Sequence, residues 1–212
     1  MSHLRGVTLT FAALAIFGLG SAFPAKADSV MFLIGNNPQP NEENILLNSG
    51  TSGIQVVGTT NQSNLLVRFS STTDILVESS SGQARVEAQD GFVNNITISV
   101  PGGGFTDLII NPFQGSGTAT VIATTLSNQT ITFSYALGNG ENFLTILDVG
   151  GLFTSVTISA PGGFTDLRQP RISGAQLTTA AIVEPATMLL FGSGLTGIAI
   201  KLRKKRKDSL NV

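Results

Sequence analysis

Ile96-Thr97-Ile98-Ser99-Val100-Pro101-Gly102-Gly103-Gly104-Phe105-Thr106-Asp107-Leu108 recurs downstream as Val156-Thr157-Ile158-Ser159-Ala160-Pro161-Gly162-Gly163-Phe164-Thr165-Asp166-Leu167, one glycine shorter. Chance does not produce agreement over so many consecutive positions, so the chain contains an internal duplication. Upstream, Thr59-Thr60 and Val67-Arg68-Phe69-Ser70 in the first copy answer Thr124-Thr125 and Ile131-Thr132-Phe133-Ser134 in the second. The copies span about residues 45–108 and 109–173, a period of about 60 residues. That is longer than most solenoid repeats and points to paired halves of one domain.

Each copy reads as strands. Leu65, Val67 and Phe69 alternate with Leu66, Arg68 and Ser70, and Ile131, Phe133 and Tyr135 alternate with Thr132 and Ser134. This is the period of a half-buried strand. Ala84, Val86 and Ala88 point one way, with Arg85 and Glu87 on the other side. Asp90-Gly91, Pro101-Gly102 and Gly138-Asn139-Gly140 punctuate the runs, where proline presets φ and glycine accepts positive φ. Helical periodicity is missing. The fold class expected is all-β, a β-sandwich built from the duplication, with a short β-solenoid as the runner-up. A first strand is expected around Val30 to Ile34, a loop over 36–43, and a linker from Gly174 to Ile182.

Composition narrows the chemistry. The sequence has no cysteine, so neither disulfides nor thiolates contribute. Its single histidine is His3, and the stretch from Asp28 to Ala180 lacks lysine as well. Ser-His-Asp triads, Cys-His pairs, His-ligated zinc and Schiff-base chemistry are excluded there by inventory. Over that stretch four arginines, Arg68, Arg85, Arg168 and Arg171, face eleven acids. An acidic body repels phosphate backbones, which argues against nucleic-acid binding. Paired carboxylates could in principle serve a glycosidase, but the acids fall mostly at turns or on polar strand faces. The expectation is that the protein is not an enzyme and has no cofactor.

Both ends read as targeting segments. Arg5, the apolar stretch from Val7 to Gly20, and the small-x-small site Ala25-Lys26-Ala27 form the three parts of a secretory signal, with cleavage after Ala27. Near the other end, residues 186–200 carry no charge, and as a helix they would extend roughly 23 Å at 1.5 Å per residue. That is short for a hydrocarbon core of about 30 Å, but Lys201 and the run Arg203-Lys204-Lys205-Arg206-Lys207 follow at once and can snorkel to the headgroups. By the positive-inside rule this basic run stays cytoplasmic and the body lies on the periplasmic side. The literal G-x-G-x-x-G from Gly192 to Gly197 lies inside that stretch and lacks the strand-turn-helix setting of a dinucleotide site.

Ile182-Val183-Glu184-Pro185-Ala186-Thr187-Met188, the apolar stretch and the basic cluster together resemble the PEP-CTERM sorting signal of Gram-negative bacteria. Val183 stands where that family usually has its first proline, and Glu184 and Pro185 follow the pattern. A tail of this kind also goes under the description ice-binding protein C-terminal domain, which says nothing of ice binding by the body. The resemblance implies transient handling by an exosortase, a membrane-embedded protease or transpeptidase acting near the motif. It also implies association with exopolysaccharide and biofilm systems. The body, with its PGG-FTDL repeats and the closing run from Arg168 to Gly174, is similar to exported proteins of the same group.

The organisation expected is thus a signal peptide over 1–27, a duplicated all-β domain over 28–176, a linker over 177–182 and a sorting tail over 183–207. The function expected is a non-catalytic exported protein, passing through the inner membrane to the cell surface or the extracellular polysaccharide matrix. Its partners would be signal peptidase and the secretion machinery, an exosortase, the membrane, and extracellular polysaccharide. The alternative is a secreted polysaccharide-binding module, assisted by calcium. Asp107 and Asp166, at the same place in each copy, are the weak candidates for a metal. The preferred reading is that both carboxylates accept hydrogen bonds from turn N–H groups, because no D-x-D-x-D-G spacing supports calcium.

Overall fold

The computed structural model describes residues 29–47, 49–79 and 84–178. Among these there is no helix. The first strands are β1 (Ser29–Ile34), β2 (Glu43–Leu46), β3 (Ser52–Gly53), β4 (Gln55–Thr60) and β5 (Leu66–Ser70). Next come β6 (Leu76–Glu78), β7 (Arg85–Ala88), β8 (Val93–Ser99), β9 (Gly103–Gly104) and β10 (Asp107–Gly115). The last are β11 (Gly117–Thr125), β12 (Thr130–Leu137), β13 (Leu144–Val149), β14 (Phe153–Ser173) and β15 (Gln176–Leu177). All the strand pairings among the described residues are antiparallel, which fits a sandwich and not the parallel stacking of a β-helix.

Strand β14 organises the sandwich. Its first half lies between β11 and β8, and β8 continues to β5 and β4, giving a layer ordered β12-β11-β14-β8-β5-β4. Its second half lies between β10 on one side and β7 and β2 on the other, with β13 and β1 beyond β10. One strand of 21 residues therefore serves two layers, and the change of partners falls at Pro161-Gly162-Gly163. Gly163 there has φ +67°, a backbone state that glycine adopts without steric cost.

The inward positions fill one core. Val67, Phe69, Ile96, Ile98, Val121, Val156 and Ile158 from the first layer meet Leu108, Ile110, Leu144, Ile146, Leu167 and Ile172 from the second. The alternation that predicts β5, β7 and β12 is present in all three, with Val67, Phe69, Val86, Ala88, Tyr135 and Leu137 buried.

The duplication is visible as local symmetry. Thr97 pairs with its equivalent Thr157, while Ile96 pairs with Ile158 and Ile98 with Val156, the reciprocal exchange expected across a local two-fold through the threonines. The preceding hairpins break that symmetry: β5 pairs directly with β8, whereas β12 is separated from β14 by β11. The expected linker from Gly174 also differs. Gln176 and Leu177 form β15 and pair with Gly104 and Gly103 of β9. This needs the extra glycine of the first copy, since a Cβ on Gly103 would lie 2.1 Å from the Gln176 carbonyl oxygen.

Candidate functional site

From Asn95 onward in β8 and from Ser155 to Ala160 in β14, every second residue is an apolar β-branched residue or alanine in the core, and the residues between are Asn95, Thr97, Ser99, Ser155, Thr157 and Ser159. Hydroxyl and amide side chains thus stand on the outer face because successive residues of a strand point to opposite sides. Antiparallel pairing then brings them into ranks. One rank crosses six strands as Gln55, Ser70, Thr97, Thr157, Ile122 and Thr132. A second runs Val57, Arg68, Ser99, Ser155, Thr124 and Thr130. A third, shorter rank is Asn95, Ser159, Thr120 and Ser134.

Neighbours within a rank are spaced about 4.8 Å apart and the ranks about 7 Å apart, as the geometry of a sheet requires. Hydrogen bonds tie parts of the array together. The Thr97 and Thr157 hydroxyls lie 2.8 Å apart on the local two-fold, and Asn95 Nδ2 donates to Ser159 Oγ at 2.9 Å. Most of these residues are half-exposed, with Thr130, Thr132 and Ser134 of the edge strand exposed. The result is a largely polar sheet face, interrupted by exposed Val57 and Leu66 near Arg68, and among the described residues its ranks carry no aromatic platform.

The three ranks contain no carboxylate, and their single charge is Arg68. The other three arginines among the described residues are engaged: Arg85 with Glu87 at 2.8 Å, Arg168 with Asp166 at 2.6 Å and Arg171 with Glu42 at 3.0 Å. Among the described residues Arg68 has no ion pair, and its Nε, like that of Arg171, is buried without a hydrogen-bond partner.

The structure does not bring Asp107 and Asp166 together. Asp107 pairs with Ser173 while Asp166 pairs with Phe113, six residues further along β10, or roughly 20 Å at the rise of a strand. One ion cannot bridge them. Asp166 is clasped by its own neighbour, with Arg168 Nε donating to Oδ1 at 2.6 Å and Nη2 to Oδ2 at 3.0 Å. The same guanidinium sits 3.4 Å from the centre of the Phe113 ring, a cation–π arrangement. Asp107 accepts a hydrogen bond from the Ser173 hydroxyl, while its Oδ2 is buried with no hydrogen-bond partner.

Burial pushes the Asp107 carboxyl above the usual range, with Glu42 adding to the effect and Ser173 and Arg171 opposing it. Ser173 thus serves Asp107 through both its hydroxyl and its backbone, while at Asp166 the Arg168 side chain stands where the sequence predicts turn N–H donors. A pocket of about 340 Å³ lies over Asp107, lined also by Gln39, Asn41, Thr106 and Ser173. Among the described residues no group of three or more histidine, cysteine, aspartate or glutamate side chains is placed to hold a metal ion.

Sequence reasoning missed the ranked face and Arg68. The signal was available in Ile-Thr-Ile-Ser and its copy Val-Thr-Ile-Ser, which alternate core residues with hydroxyls. What it lacked was the register that aligns them across strands. The signal cleavage residues Ala25 and Ala27, the motif residues Val183, Glu184 and Pro185, and the basic residues Lys201, Arg203, Lys204, Lys205, Arg206 and Lys207 all lie outside the described residues. The expected span over 186–200 lies there too, and among the described residues no helix is long and apolar enough to cross a membrane.

No curated protein matches the chain. Among solved structures it is similar to family 29 carbohydrate-binding modules. One variant of such a module shares 13% identity over 70% of this chain and 92% of its own length, with a TM-score of 0.31. Another shares 11% over 74% of this chain and 99% of its own, with a TM-score of 0.32. A third, complexed with cellulohexaose, shares 11% over 68% and 90%, with a TM-score of 0.31. Scores at this level transfer no residue role and no ligand to this chain. The family comparison is of a different kind, because residues 184–206 match the model of the PEP-CTERM protein-sorting motif. The chain is a protein that contains the PEP-CTERM sorting domain, the mark of an exported protein sorted through a membrane-anchored step.

Proposed function

We propose that this is a non-catalytic exported protein, handed by an exosortase-type system to the cell surface or to an extracellular polysaccharide matrix. The β-sandwich is the delivered part. The sorting motif at residues 184–206 is the observation that carries this reading. In it, signal peptidase removes 1–27, the segment 186–200 holds the chain in the inner membrane with the sandwich on the periplasmic side, and the exosortase acts near Val183-Glu184-Pro185. Lys201 and the run from Arg203 to Lys207 fix the orientation.

The test compares cells with and without their exosortase, together with a variant carrying Glu184→Ala and Pro185→Ala. The expected product in wild-type cells is extracellular protein lacking both ends. Full-length chain is expected to accumulate in the membrane in the other two strains. Full-length chain persisting in wild-type cells would overturn the reading.

A second reading, that the delivered sandwich binds polysaccharide, is favoured by the ranked hydroxyl face. Threonine and serine hydroxyls donate and accept, as sugar hydroxyls do, and a lattice of them offers repeated contacts to an extended chain. Binding of the full chain to a glycan array tests it.

A further inference from the structure

We infer that the outer face of the layer β12-β11-β14-β8-β5-β4 takes an acidic polysaccharide, one bearing carboxylates along its chain, with Arg68 as the residue that reads the charge. The inference rests on the second reading above and adds the ligand class to it. It begins from a contrast in how this protein treats its arginines. Three of the four among the described residues are paired with carboxylates of the chain itself, at 2.6 to 3.0 Å. Arg68 is not.

The body is acidic, with eleven acids against four arginines between Asp28 and Ala180, yet none of those acids stands in the three ranks of the face. Arg68 is also held against the sheet. It is half-buried, flanked in its rank by Val57 and Ser99, and its Nε is shut away from water without an acceptor. A guanidinium held in this way has lost part of its hydration and freedom before any ligand arrives. It is therefore suited to a carboxylate, which it can engage through two parallel hydrogen bonds.

The surroundings fit the rest of such a ligand. Ser70, Thr97, Ser99, Ser155 and Thr157 lie in the ranks beside Arg68 and present hydroxyls at the sheet spacing. They can bond to sugar hydroxyls on either side of the carboxylate. A neutral glucan would use the hydroxyls and leave the guanidinium unsatisfied. An acidic chain uses both, and the difference is the source of discrimination.

The experiment measures binding of the full chain to polygalacturonate and to a neutral glucan, for the wild type and for Arg68→Gln, Arg68→Lys and the double variant Thr97→Val with Thr157→Val. Far-UV circular dichroism and thermal melts establish that each variant is folded. The expected results are preference for polygalacturonate, a loss of about tenfold in Arg68→Gln, partial retention in Arg68→Lys and weakening of that binding with salt. The double valine variant is expected to weaken both polymers, since it keeps strand propensity and removes hydroxyls. Equal binding of both polymers that Arg68→Gln leaves unchanged would overturn the acidic-ligand inference while sparing the polysaccharide reading. Binding of neither polymer would overturn both.

Discussion

Asp74 follows β5 at a turn, and its carboxylate collects donors from two directions. Ser71 Oγ and Thr73 Oγ1 donate to Oδ2 at 3.1 and 2.9 Å, the Asn94 and Asn95 amides both at 3.0 Å, and Asn94 Nδ2 reaches Oδ1 at 3.3 Å. Burial raises its pKa, but these bonds outweigh it and hold the carboxyl below the usual range. A depressed carboxyl contributes stability that is present above its unfolded value of about 3.9 and is lost as pH falls through the folded value. Asp74→Asn is expected to cost about 2 kcal/mol at pH 7 by urea unfolding, because it turns a donor toward donors. That deficit should shrink below about pH 4. Asp107 has the opposite sign: its pKa is raised by burial, so the ionised form opposes folding, and stability is gained as pH falls from the folded value toward about 3.9. Asp107→Asn keeps an acceptor for Ser173 and sheds the charge. Its melting temperature should exceed that of the wild type at pH 7, with the gap closing near pH 4. A lower melting temperature at pH 7 would show instead that the carboxylate stabilises the fold.

Two copies of one motif make different elements. Val100-Pro101-Gly102-Gly103 closes a turn in which the Gly103 amide donates to the Val100 carbonyl at 3.0 Å and Gly102 has φ +71°. These are the residues a tight turn with Pro second and Gly third requires. Pro161-Gly162-Gly163 instead lies within β14, which bends there and runs on. The strands and their inward faces were legible because alternation is local. The fate of each PGG was not, since it depends on one added glycine and on which strand approaches. Gly103 shows the cost of that approach. Gly103→Ala would set its Cβ 2.1 Å from a backbone oxygen of β15, an overpacking worth about 1–3 kcal/mol. The expected result is loss of the β9–β15 pairing, read as faster hydrogen exchange of the amides around Gln176 and Leu177 with the exchange of β8 preserved. Unchanged exchange at β15 would mean that the two short strands can part and re-pair around a methyl group.

At the scale of the molecule, the duplication predicts paired halves, and pairing is what the topology enforces. Neither copy can close a core alone, because β14 of the second copy supplies the partner for β8, β7 and β2 of the first. Sequence comparison could find the repeat but not this division of labour, which arises from contacts between distant residues. The same topology separates charge: ion pairs gather around the second half of β14, and the ranked face keeps Arg68 alone. A body built this way should unfold as one unit, and the chain carries a convenient reporter. Tyr135 is its single tyrosine, there is no tryptophan, and the ring is buried at 6% exposure with burial pushing the phenol pKa up. It sits on β12, an edge of the first layer, far in sequence from the second-layer strand β1. If the layers share one cooperative transition, Tyr135 fluorescence and far-UV circular dichroism will trace the same midpoint in urea. Coincident curves are expected, and tyrosine exposure preceding the loss of strand signal would instead assign β11 and β12 to a hairpin that opens by itself.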